Sequence, residues 1–175
     1  MILADAARCQ LLLVDFQARL MPAIEGGAAA LANAVRLAEA AKALAIPIAI
    51  TEQYPRGLGP SVPEIAGRGP VFEKLAFGAA AEPGFLARLE RPDLVVAGCE
   101  AHVCVLQTVA GLLAAGRRVF LVRDAVGSRR AESKETAIAR LAAAGALVVT
   151  TEMVVFEWLR RSDHAQFRAL SALIR

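Results

Sequence analysis

Six short, mostly apolar runs punctuate the chain, and most end at or beside a polar or charged residue. They are Leu11 to Val14, Ile46 to Thr51, Val71 to Lys74, Leu94 to Gly98, Arg118 to Val122 and Ala146 to Thr151. Leu11 to Val14 predicts a fully buried strand, and the high apolar content predicts central strands covered on both faces. Helical periodicity fills most of the intervals, over Ala28 to Leu44, Glu82 to Glu90, His102 to Ala115 and Ala131 to Gly145. Pro83 suits the first turn of its helix, while Gly116 and Gly145 act as stops. "EMVVFEWLRR" and "AQFRALSALI" predict two closing helices. Strands that alternate with helices predict an α/β protein with a mostly parallel sheet and helices on both faces. One interval differs: "EQYPRGLGPSVPEIAGRGP" is rich in Gly and Pro and predicts a long surface loop. No repeat or linker divides the chain, and 175 residues suit one domain spanning 1–175.

In such sheets ligands bind beyond the carboxyl ends of the strands. Those ends carry Asp15, Glu52 with Gln53, Lys74, the stretch Glu100 to Cys104, Asp124 and Glu152. Several chemistries are disfavoured at once. The formal net charge is only +3 and the basic residues are scattered, so no nucleic-acid partner is expected. No apolar run approaches the roughly 20 residues of a membrane span. The N-terminal stretch lacks a basic start and is interrupted by Asp5 and Asp15, which predicts a cytoplasmic protein. "DFQARLMP" after the first strand contains no phosphate-cradling glycine loop, and no G-x-S-x-G elbow occurs. The chain holds two His, and Cys99, His102 and Cys104 match no common zinc spacing. Neither metal nor cofactor is expected.

A cysteine nucleophile fits better. Three cysteines, Cys9, Cys99 and Cys104, are an odd count, and without an export signal they predict free thiols. Cys104 falls in the predicted first turn of the helix after the fourth strand, where free N–H groups and the helix end favour a thiolate. Of twenty basic residues only Lys42, Lys74 and Lys134 are lysine, and Lys74 alone lies at a strand end. Its ammonium is expected to lower the Cys104 pKa further, and Asp15 to accept the thiol proton. Cys99 reads as packing and Cys9 as having no function. A redox pair of Cys99 and Cys104 is disfavoured, because the spacing is not C-x-x-C.

The sequence resembles the isochorismatase-like cysteine hydrolases along essentially its whole length, through "LLLVDFQ", "TEQYPRGLGPSVPE", "VFEKLAFG", "GCEAHVCVLQTV", "LVRDAVGSR" and "TTEMVVFEWL". It looks closest to the metal-free subgroup that includes the isochorismatase domain-containing proteins. The resemblance implies a three-layer αβα fold with a six-stranded parallel sheet of order 3-2-1-4-5-6. It implies a triad of Asp15, Lys74 and Cys104, a cis peptide between Cys99 and Glu100, and an oxyanion hole formed by the backbone N–H groups of Glu100 and Cys104. It also implies a small-molecule substrate and a homo-oligomer. "TEQYPRG" contains neither the His nor the Asp of the metal-dependent nicotinamidases, and true isochorismatases lack the nucleophilic cysteine. What remains is hydrolysis of an amide or related C–N bond. The alternative is a non-catalytic small-molecule-binding or assembly protein that keeps the fold. Gln53, Tyr54, Phe77 and His102 are candidates to line the substrate pocket. The Glu100 side chain is expected to hold its turn, and Asp124 and Ser128 to brace loops or cap a helix. Phe156 and Trp158 suit core or a subunit contact.

Overall fold

The computed structural model describes residues 2–174. Six strands, β1 (Cys9–Val14), β2 (Ile48–Gln53), β3 (Val71–Lys74), β4 (Asp93–Cys99), β5 (Arg118–Gly127) and β6 (Leu147–Val149), form one sheet. All five pairings are parallel, and the order is β3-β2-β1-β4-β5-β6. The strand order reverses between β1 and β4, which lie side by side from Cys9↔Asp93 to Val14↔Gly98.

Both faces of the sheet are covered. Leu11, Leu13, Val95, Ala97, Phe120 and Val122 pack under α1 (Gly27–Ala43), α5 (Thr151–Leu159) and α6 (Phe167–Leu173). Leu12, Val14, Leu94, Val96, Val119 and Leu121 pack on the other side, under α3 (Leu106–Ala114) and α4 (Ala131–Ala143). Neighbouring side chains on a strand point to opposite faces, so an unbroken apolar run supplies both layers.

Several expected boundaries move. β1 begins at Cys9, which is the first strand residue rather than a residue ahead of it. β2 starts and ends two residues later than expected and takes in Glu52 and Gln53. The long loop is folded inward: Val62 and Ile65 are buried, Pro55–Leu58 forms a single turn (α2), and Gln17 and Ser61 make an isolated bridge. The expected helix over Glu82 to Glu90 does not form. Gly84 takes a φ of +81°, which breaks a right-handed helix, and only 3₁₀ turns at Ala79–Ala81 and Leu86–Arg88 are present. β5 runs on to Gly127, with a register shift opposite β4 between Val96 and Gly98. β6 is shorter than expected, because Thr150 leaves it to cap α5 by accepting from the Met153 N–H.

Gly98 permits the close approach at the switch point. Its φ is +148°, and a Cβ there would stand 2.2 Å from the Val14 carbonyl oxygen. Any other residue would push β4 off β1 just where the two strands deliver their polar ends.

Candidate active site

Three strand ends converge on one buried cluster. Asp15 follows directly on β1, and its φ of +52° turns the chain out of the sheet. Its N–H still donates to the Thr51 carbonyl, so the residue remains anchored to β2. β3 ends in Lys74, which is register-paired with Gln53. The Lys74 ammonium and the Asp15 carboxylate are 2.7 Å apart, and neither side chain reaches solvent. Burying such a pair is favourable only when the remaining donors and lone pairs also find partners.

Here they do. Lys74 Nζ donates to Asp15 Oδ2 at 2.7 Å, to Gln53 Oε1 at 2.7 Å and to the Phe77 carbonyl at 2.9 Å. An ammonium has three N–H bonds, and all three are used. The other carboxylate oxygen, Asp15 Oδ1, accepts from the Thr51 hydroxyl at 2.6 Å. Gln53 is held in turn: its N–H donates to Gln17 Oε1, its carbonyl accepts from Gln17 Nε2, and its own Nε2 donates to the Leu75 carbonyl. Gln17 Nε2 also reaches the Gly59 carbonyl, and Glu52 accepts from both the N–H and the hydroxyl of Ser61. The long loop is thereby tied to the strand ends beneath it.

Cys104 enters from β4. The Cys99–Glu100 peptide is cis. The chain then makes a widened π turn over Ala101–Val105 before α3 begins. The Glu100 carbonyl accepts from both the Val103 and Val105 N–H groups, which is what widens the turn. Cys104 therefore lies in a π turn rather than in the first turn of an α-helix. Its thiol is nearly buried and feels both charges of the ion pair. Burial, aided by the Asp15 carboxylate, pushes this thiol up to about 12, and Lys74 pulls only partly the other way. The expected lowering of the Cys104 pKa is thus reversed, because desolvation and a carboxylate together outweigh one ammonium already committed to Asp15. Cys99 is also pushed up to about 12, mainly by burial.

The remaining candidates divide. Gln53 faces Lys74 with its whole amide engaged. Phe77 contributes its backbone carbonyl, while its ring is exposed. Tyr54, half-exposed, lines a cavity of about 400 Å³ with Pro55, Arg56, Glu73, Leu75 and Glu82 on the β3 side of the cluster. His102 is directed elsewhere: Nδ1 lies 3.0 Å from Ser128 Oγ, and the ring borders a separate cavity of about 380 Å³ with Arg129, Arg130 and Ser133. The Glu100 carboxylate accepts from the N–H and Nε of Arg129, both at 3.0 Å, so it fastens its turn to the loop after β5. Asp124 braces the start of α5 through the Thr151 N–H and hydroxyl. Phe156 is exposed and Trp158 is core.

Sequence reasoning missed Thr51 and Gln17. Thr51 had a signal, since it shares one strand face with Gln53, two residues on, at the end of an otherwise apolar strand. Gln17 had none beyond its place two residues after Asp15. Among the described residues no group of three or more His, Cys, Asp or Glu is arranged to hold a metal ion, and no helix is long and apolar enough to cross a membrane.

Comparison with known proteins places this geometry in a family. The isochorismatase domain model matches residues 9–153. Isochorismatase domain-containing protein 2A of Mus musculus is 34% identical over 94% of this chain and 82% of its own length. Among solved structures, MAR1 ribonuclease from Caenorhabditis elegans superposes with a TM-score of 0.93 at 33% identity, covering 99% of this chain and 92% of that one. YcaC of Escherichia coli, an octameric hydrolase of unknown specificity, gives a TM-score of 0.92 at 26% identity, covering 99% and 91%. YcaC from Pseudomonas aeruginosa, solved with covalent acrylamide, gives 0.91 at 26% identity, covering 98% and 91%. The chain belongs to the isochorismatase family.

Proposed function

We propose that this protein is a cysteine hydrolase that cleaves an amide or related C–N bond of a small molecule through a thioester on Cys104. The observation that carries the reading is the fully buried Asp15–Lys74 pair bearing on the Cys104 thiol. Lys74 Nζ is surrounded by acceptors, on Asp15, Gln53 and the Ala76 and Phe77 carbonyls, so it is placed to donate rather than to take a proton. Asp15 is therefore the acceptor. It takes the thiol proton as the sulfur attacks the substrate carbonyl, and Lys74 steadies the negative charge that passes from carboxylate to sulfur. The N–H groups of Glu100 and Cys104 receive the developing oxyanion. Asp15 returns the proton to the leaving nitrogen, which departs as the C–N bond breaks. A water then loses a proton to Asp15, attacks the thioester and releases the acid, and the sulfur recovers its proton.

A raised resting thiol is compatible with this scheme, since attack and proton transfer occur together and no standing thiolate is needed. The family membership supports hydrolysis, and the covalent acrylamide on a relative is what a nucleophile adding to an activated double bond would leave. The octameric relative supports self-assembly here as well. A free-thiol nucleophile also suits a reducing compartment such as the cytoplasm.

Intact-protein mass spectrometry tests the assignment. Limiting iodoacetamide should add one carbamidomethyl group, on Cys104, and Cys104→Ser should abolish it. Adduct formation that persists in the variant would refute Cys104 as the nucleophile. A panel of small amides and an RNA substrate then separates the reactions. Turnover of an amide that Cys104→Ser abolishes supports the reading. Saturable binding without turnover favours the non-catalytic alternative, and Cys104-independent cleavage of RNA favours a different chemistry.

A further inference from the structure

We propose that Thr51 is a positioning residue that fixes the plane of the Asp15 carboxylate for proton transfer from Cys104. The inference rests on the cysteine-hydrolase reading above. Thr51 is fully buried at the carboxyl end of β2, and its register partner on β1 is Val14, the residue before Asp15. Its hydroxyl has one proton, and that proton is given to Asp15 Oδ1 at 2.6 Å.

A carboxylate turns about the bond to its Cβ, and that torsion is broad and nearly two-fold. Lys74 holds Oδ2 alone, as a compact ammonium whose three donors are shared among Asp15, Gln53 and the Ala76 and Phe77 carbonyls. One anchored oxygen leaves the plane free to swing. A second anchor on Oδ1 removes that freedom, and Thr51 supplies it. Among the described residues these two are the nitrogen or oxygen donors that the Asp15 side chain has. Thr51 reaches no solvent and stands behind Asp15 on β2, so it acts on the reaction only through the carboxylate.

The neighbouring positions on the same strand face make the pattern specific. Ala49, Thr51 and Gln53 alternate toward one side of β2, and the side chains change from apolar to polar as the strand approaches the site. Thr51 binds the carboxylate, and Gln53 binds the ammonium that pairs with it. The strand end thus clamps both members of the ion pair, with Gln17 fixing the outer half of the clamp.

The test is the rate of Cys104 carbamidomethylation by iodoacetamide in the full-length folded protein, followed by peptide mass spectrometry with Cys9 and Cys99 as internal references. Thr51→Val keeps the shape and removes the donor. It should slow Cys104 labelling by on the order of tenfold or more, because a misplaced acceptor forfeits the pre-set geometry. Thr51→Ser keeps the hydroxyl and should stay within about twofold of the parent. A loosened fold would instead speed labelling of Cys9 and Cys99, so the ratio of Cys104 to Cys9 separates positioning from general destabilisation. If Thr51→Val does not fold, Thr51→Ala against Thr51→Ser isolates the same hydroxyl. Equal or faster Cys104 labelling without the hydroxyl overturns the role of Thr51 while Cys104 stands. Failure of the parent protein to label at Cys104 overturns the underlying reading instead.

Discussion

Two buried aspartates occupy opposite ends of the sheet, and they are answered by different cations. Asp93 opens β4, opposite Cys9 on β1. It accepts from Arg8 Nε at 3.1 Å and Arg118 Nη1 at 3.0 Å, and those side chains remain 51% and 35% exposed. Asp15 lies past the other end of β1 and meets Lys74, which is wholly buried. At the amino end, long guanidinium arms reach in from water and keep much of their hydration, so Asp93 is a staple between β4, β5 and the chain entering β1. At the carboxyl end the compensation is one to one and dry. A guanidinium would bring five donors to a place where the ammonium meets four acceptors, on Asp15, Gln53 and the Ala76 and Phe77 carbonyls, so it would leave at least one donor orphaned. Lysine stands there in a chain whose basic residues are mostly arginine.

The sharpest way to break this comparison is Lys74→Met, which keeps an unbranched stem and removes the charge. It leaves Asp15 buried and uncompensated, and the expected loss is about 3–5 kcal/mol of unfolding free energy in urea. Cys104 labelling should also slow, because Lys74 is the group that pulls the thiol downward. Adding Asp15→Asn to Lys74→Met should recover much of the stability, because no buried charge then lacks a partner, but none of the labelling. A Lys74→Met protein as stable as the parent would mean that water already reaches the pair.

The same contrast explains what could be read from the chain beforehand. The apolar runs gave six strands, and the unbroken apolar stretch of β1 gave a centre covered on both faces, while the charged edge strand β3 is largely exposed. Asp15, Lys74 and Cys104 were legible because each closes or follows such a run. The strand order came from family likeness, since periodicity cannot say which strands are neighbours. Thr51 was passed over because threonine is a good strand former and looks like filler until Asp15 is seen beside it. The π turn escaped because "HVCVLQTV" has unbroken helical periodicity, and only the doubled use of the Glu100 carbonyl reveals the extra residue. The rise in the Cys104 pKa escaped because sequence places charges near a thiol but not the degree of burial that decides between them. Gly84 carried the missing signal for the failed helix, yet an isolated glycine is tolerated in many helices.

Asp93→Asn is the control at the other end. It removes a charge that the surface arginines can live without, and the amide still offers one acceptor. The expected cost is about 1–3 kcal/mol in urea unfolding, from buried hydrogen bonds that become weaker or unmade. Cys104 labelling should be unchanged, since no residue of the Asp93 cluster touches the cysteine. A change in labelling comparable to that of Lys74→Met would erase the distinction between staple and site.

Alkali offers the smallest and most selective probe. Cys99 and Cys104, both beyond the carboxyl end of β4 or closing it, rise from an ordinary 9.0 to about 12, chiefly through burial. Cys9 at the amino end is raised as well, chiefly through burial, but by less. A thiol whose folded value is raised keeps its proton longer in the folded state than in the unfolded one. The folded protein therefore binds more protons between pH 9 and 12, and its stability falls as pH climbs through that window. Below the unfolded value the contribution is complete and flat. By about pH 10 the loss should be on the order of 1 kcal/mol for each of the two thiols. Urea midpoints measured at neutral pH and at about pH 10 give the slope. Cys104→Ala and Cys99→Ala each leave a small void that lowers stability at every pH, but each should also flatten the alkaline slope by its own share. If Cys9→Ala flattened it as much as either, the thiols at the two ends of the sheet would be electrostatically equivalent, and the dry end would lose its distinction.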